Sequence, residues 1–144
     1  MGMKISMNVV KLKEELRAAA DVLSKATRPA AQAGAQIIYD RAKQLAPVSK
    51  NSHMFNIEGR SYGPFKPGTL RDSIYQAFSK DNSFKDVSTY HVSWNADKAP
   101  YGYAVEFGTS KAPSKSFIAR AVKETRSQVR AAIKAAFIEE VNKK

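Results

Sequence analysis

The chain has 144 residues, with 24 Lys and Arg against 13 Asp and Glu, a formal net charge of +11 and no cysteine. One domain spanning 1–144 is the expectation at this length, and the missing cysteines exclude a disulfide framework, a Cys-x-x-Cys redox pair and a thiolate-bound zinc. No run approaches the roughly 18 apolar residues of a spanning helix, and the first 13 residues lack a signal-peptide core, so a soluble chain with no membrane role is expected.

Met1-Gly2-Met3-Lys4-Ile5-Ser6 matches the short myristoylation pattern, a coincidence on this reading. Val9, Leu12, Leu16, Ala19/Ala20 and Leu23 then recur at helical spacing with charged residues between them. Thr27 followed by Pro29 predicts a stop and restart. A second helix carries Gly34, Ile37, Ile38, Ala42 and Leu45, and Pro47 ends it at Ala46. Residues 48–68 are rich in Asn, Ser, Gly and Pro and are expected to be a long, mobile loop inserted at 49–66. Thr69-Leu70-Arg71-Asp72 has capping-box spacing and predicts a helical turn. Strands are expected at 74–78, at 86–95 with Tyr90, Val92 and Trp94 on one face, and at 101–107. The last helix, over 114–141, places Ile118, Ala121, Val122, Val129, Ala132, Ile133 and Ala136 on one side. Lys115, Arg120, Lys123, Arg126, Arg130 and Lys134 fall on the other. The predicted fold is α+β: a small antiparallel sheet packed against N-terminal helices and a long C-terminal helix.

The charge is uneven. Residues 1–50 hold 9 basic and 4 acidic side chains, 51–110 hold 6 and 6, and 111–144 hold 9 and 3. The basic stripe of the last helix is a candidate contact for DNA or an acidic partner, since clustered Lys and Arg bind phosphates by displacing counterions. Interleaved stacking aromatics and a base-reading helix are missing, which argues against sequence-specific recognition.

Catalytic and cofactor signals are sparse. The two histidines, His53 and His91, belong to no metal motif. Neither a phosphate-cradling glycine loop nor a nucleophile elbow occurs, so no catalytic residue, metal or cofactor is expected. Glu106 stands out because it interrupts an apolar run. If partly buried it needs a partner, for which Arg71 and Arg120 are candidates. An exposed position on an edge strand is the other reading.

Taken in order, Leu45-Ala46-Pro47-Val48, Pro67-Gly68-Thr69-Leu70-Arg71-Asp72-Ser73-Ile74, Ala99-Pro100-Tyr101-Gly102-Tyr103-Ala104-Val105-Glu106-Phe107-Gly108-Thr109, Pro113 and Phe117-Ile118-Ala119-Arg120-Ala121 form a series. It resembles the head-tail joining, or tail-completion, proteins of long-tailed bacteriophages, the family named after gene product ten of a lambda-like coliphage, over roughly 8–140. The resemblance singles out Pro47, Gly68, Leu70 and Ser73, then Tyr103, Glu106, Phe107, Gly108 and Thr109 as a signature strand, then Pro113 and Phe117. Residues 49–66 depart from it, since many relatives pass from Ala-Pro-Val to Gly-x-Leu almost at once.

What the resemblance implies is a structural virion protein, made in the bacterial cytoplasm and built into the neck between the tail and the DNA-filled head. Its partners would be its own copies in a six-fold ring, the tail terminator and tail tube, and the head-completion (stopper) proteins. Ring contacts are expected to be head-to-tail, with a sheet edge near 101–109 supplying one surface and a helical flank the other. Six copies would carry roughly +66, which opposes self-association unless acidic neighbours or DNA offset it. The competing reading is a small basic accessory protein that lays its last helix non-specifically along duplex DNA.

Overall fold

The computed structural model describes residues 6 and 8–143. The myristoylation-like stretch lies outside them except for Ser6. A single helix, α1, runs Val9–Leu45, where the sequence predicts two. Asn8 caps it, its side chain accepting the Lys11 N–H at 3.1 Å. Pro29 sits inside, although proline costs about 3 kcal/mol in a helix interior. The helix continues because its flanks are packed: Ala26 and Ala30 are buried, and the Thr27 hydroxyl donates to the Ser24 carbonyl within the helix instead of capping a new one. At the far end Ala46 turns extended before Pro47, as expected.

The last helix, α4 (Phe117–Asn142), packs antiparallel on α1. A Cβ at Gly34 would lie 2.9 Å from the Ile133 side chain, which would have to shift to admit it, so glycine lets the helices approach without repacking. Arg41 Nη2 meets Glu124 Oε2 at 2.6 Å nearby, and this guanidinium holds the Glu124 carboxyl below its usual range.

Residues expected to form a loop instead build a hairpin of β1 (His53–Ile57) and β2 (Arg60–Phe65). Its two-residue turn, Glu58-Gly59, has positive φ at both positions (50° and 76°), the geometry whose twist suits a tight hairpin. The signal was weak because His53, Phe55 and Phe65 alone are half-buried in these strands, while every residue from 60 to 64 is exposed.

A helical turn, α2 (Thr69–Ser73), forms where expected, but without the capping box. Gly68 takes the cap position at φ 84°, Thr69 donates its hydroxyl to the Lys66 carbonyl, and Asp72 pairs with Arg71 at 3.0 Å. The next two strands, β3 (Ile74–Phe78) and β4 (Tyr90–Trp94), pair antiparallel with Ile74 opposite Trp94 and Phe78 opposite Tyr90. They lie on α1, whose Arg28 guanidinium sits 4.0 Å from the Phe78 ring centre.

The expected third strand is a short helix, α3 (Gly102–Phe107). The α+β class therefore stands, but with two separate two-stranded sheets in place of one. The core gathers Ala42 of α1, Ala46 just beyond its end, Leu70, Ile74, Tyr101, and Phe117 of α4. Among the described residues no helix is long and apolar enough to cross a membrane.

Candidate functional site

The segment from Ala99 to Ile118 is organised by Glu106. Helical spacing turns Gly102 and Glu106 inward and Tyr103 and Phe107 outward, so Glu106 is 5% exposed whereas its flanking aromatics face solvent. Its carboxylate accepts the Ile118 N–H on Oε2 and the Ala119 N–H on Oε1, both at 3.0 Å. These are the second and third residues of α4, whose cap residue Ser116 makes no side-chain cap bond. A carboxylate from another helix thus does what an N-cap side chain normally does, with the helix dipole reinforcing it.

No salt bridge forms to either arginine proposed from sequence: Arg71 pairs with Asp72, and Arg120 with Glu124 at 3.4 Å. The edge-strand reading fails as well, because the residue is buried on a helix. The Glu106 carbonyl also accepts the Ser114 and Ser116 hydroxyls, at 2.9 and 3.1 Å, which ties down the connection to α4. Gly108 begins that connection at φ 79°, and a Cβ there would meet the Ser114 backbone nitrogen at 2.7 Å. Thr109 closes the turn, its hydroxyl oxygen accepting the Lys111 and Ala112 N–H groups.

Beside this junction lies an apolar cleft of about 380 Å³. Pro47, Gly68, Leu70, Thr109 and Pro113 all line it, so five of the eleven residues singled out by the resemblance converge on one feature. Lys115 stands in the same lining and precedes α4, so it is not part of that helix's stripe. The hairpin forms another wall. His53 and Phe65 pack on Tyr101 with ring centres 4.6 and 4.9 Å apart, and burial pushes the Tyr101 phenol above its ordinary pKa. His53 and Tyr101 were missed from sequence as cleft residues, because their meeting depends on an unrecognised hairpin.

On the outer face of α3, Tyr103 and Phe107 pack with ring centres 4.6 Å apart and planes tilted by 47°, while 66% and 62% exposed. Such a contiguous aromatic pair in water is unusual. The remaining motif residues are structural: Ser73 is buried and donates its hydroxyl to the Leu70 carbonyl, and Phe117 is fully buried. Arg120, Lys123, Arg126, Arg130 and Lys134 lie exposed along α4. Among the described residues only Arg120 of these five is in a salt bridge.

No curated protein and no solved structure shows significant similarity to the chain. The family model described as "Bacteriophage HK97-gp10, putative tail-component" matches residues 10–108, more than half of the chain. That span runs from the start of α1 to Gly108 and includes the hairpin, most of the cleft and the whole of α3, leaving α4 outside it. The chain belongs to the HK97-gp10-like family of bacteriophage tail components.

Proposed function

We propose that the protein is a structural, non-catalytic component of the phage neck, a six-fold ring that joins the tail to the DNA-filled head and touches the tail terminator, tail tube and stopper proteins. The observation that carries this reading is the exposed Tyr103–Phe107 pair, held on a helix that Glu106 and Gly108 pin to α4. The signature residues are spent on shape: they cap, turn and wall a cleft, and they display two aromatic rings beside it. Aromatics presented on a rigid support are what protein contacts use as anchors. The contact lies on a helix face, in place of the sheet edge expected from sequence.

A phage lacking its own copy, complemented with Tyr103→Asp/Phe107→Asp, tests this. Both side chains are exposed, so the variant should keep the wild-type circular dichroism. Infectious particles should fall about tenfold or more, the ratio that 1.4 kcal/mol of lost docking energy produces, with unjoined heads and tails visible by electron microscopy. An unchanged titre overturns the reading.

A second reading, non-specific contact with the DNA passing through the ring, rests on the exposed Lys123, Arg126, Arg130 and Lys134. Neutralising Arg126, Arg130 and Lys134 together should weaken binding to duplex DNA of any sequence. The slope of log affinity against log salt should flatten by about 0.9 for each phosphate that the variant leaves unneutralised. A slope that does not change removes the DNA contact.

A further inference from the structure

Among the described residues, the first part of α1 packs against no other element. Val9, Leu12, Leu16, Ala19 and Leu23 alternate at steps of three and four residues, the spacing of a coiled-coil seam. The same stripe continues into Ala26 and Ala30, which are buried, and near Gly34 the helix lies against Val129 and Ile133 of α4. With Gly34 opposite 129–133, the end of α4 at Asn142 comes level with about residue 23 at 1.5 Å per residue, so α1 projects about 20 Å beyond it. Every residue from 9 to 23 is exposed, Val9 at 64% and Leu16 at 62%. The buried part of the stripe is alanine, and the projecting part carries the large aliphatic side chains.

We infer that the 9–23 segment of α1 is a self-association helix, which packs in parallel against the same segment of a neighbouring copy. This deepens the ring reading above, on which it rests, by naming a contact between subunits. Two observations favour a second copy. The chain carries +11 overall, but the projecting segment holds Lys11, Lys13 and Arg17 against Glu14, Glu15 and Asp21 and is neutral. Copies therefore meet there without the repulsion that opposes contact elsewhere. Taking Leu12 and Leu16 as seam positions, Lys13 flanks the seam on one side and Glu15 on the other. In a parallel pair each flanking position faces the flanking position of the adjoining heptad, Lys13 facing Asn8 and Glu15 facing Ala20 of the second copy, so no like charges meet beside the seam. A cyclic ring also requires all its subunits to share one polarity along the axis.

Sedimentation of the purified full chain over a concentration series tests the inference. The wild type should assemble beyond a monomer as concentration rises. Leu12→Asp/Leu16→Asp should remain monomeric, and at concentrations low enough for the wild type to be a monomer too it should match the wild type in circular dichroism and melting temperature, since both side chains are exposed in the monomer. Because the chain has no cysteine, orientation can be read from single introduced thiols. Leu12→Cys and Leu23→Cys should each cross-link to their own copies with a short thiol-specific reagent, and Glu14→Cys, on the outer face, should not. A monomeric wild type, an assembly that survives the aspartates, or cross-linking only when Leu12→Cys and Leu23→Cys are mixed each overturns the inference. Wild-type virions that lack the protein would overturn the neck reading instead, while sedimentation and cross-linking would still decide the helix contact.

Discussion

Replacing Phe117 with alanine should lower the stability of the chain by about 3–5 kcal/mol, measured by urea or thermal unfolding. Phe117 is the first residue of α4 and is fully buried, with its ring 5.6 Å from that of Trp94 between centres. Its removal takes a large apolar side chain from the place where α4 meets the α1, α2 and β4 packing, and leaves a cavity that these elements fill only in part. Domains typically hold a margin of roughly 5–15 kcal/mol, so the variant should sit near its unfolding threshold. Phe117→Leu, which retains most of the apolar volume, should lose less than half as much. Equal losses for both variants would show that the aromatic shape, not the buried volume, is what the site requires.

Glu106→Ala should cost about 2–3 kcal/mol through a different cause. Two backbone N–H groups at the start of α4 lose their acceptor, and the helix dipole loses its facing charge. Glu106→Gln should cost roughly half of that, because an amide offers one oxygen where the carboxylate offers two and carries no charge. A loss below about 0.5 kcal/mol for the alanine variant would mean that water caps α4 as well as the carboxylate does. Since Phe117 and the Glu106 contacts hold the same helix terminus, the two losses should not add. A double-mutant cycle should return an interaction energy of about 0.5 kcal/mol or more. The family match ends at Gly108, yet the signature glutamate just before it spends its whole carboxylate on a helix beyond that boundary. Its effect on particle assembly is thus expected to run through the placement of α4 and the cleft, and not through a charge shown to a partner.

Several elements were legible in the residues because a periodic pattern or a local start or stop signal specifies them. The stripes of α1 and α4, the stop before Pro47, the turn at Thr69–Ser73 and the alternation of β3 and β4 all follow from local rules. The hairpin was not legible, since a two-stranded ribbon exposed over most of its surface has no inside to write into an alternating pattern. In α3 the run Tyr103-Ala104-Val105-Glu106-Phe107 is too short for period two and period 3.6 to be told apart. The helical choice comes from outside the segment, where the start of α4 offers N–H groups that Glu106 reaches only from a helical turn.

The sequence by itself determined which faces of the chain are apolar, where its positive charge lies, and the ordered motifs that tie it to a phage family. It did so because polarity, charge and spacing are properties of neighbouring residues. Tertiary structure alone decided that α1 runs unbroken through Pro29, that Glu106 binds backbone and no arginine, and that five motif residues wall one cleft. Those outcomes depend on contacts between residues far apart in the chain, whose packing energy outweighs local preferences of a few kcal/mol at most.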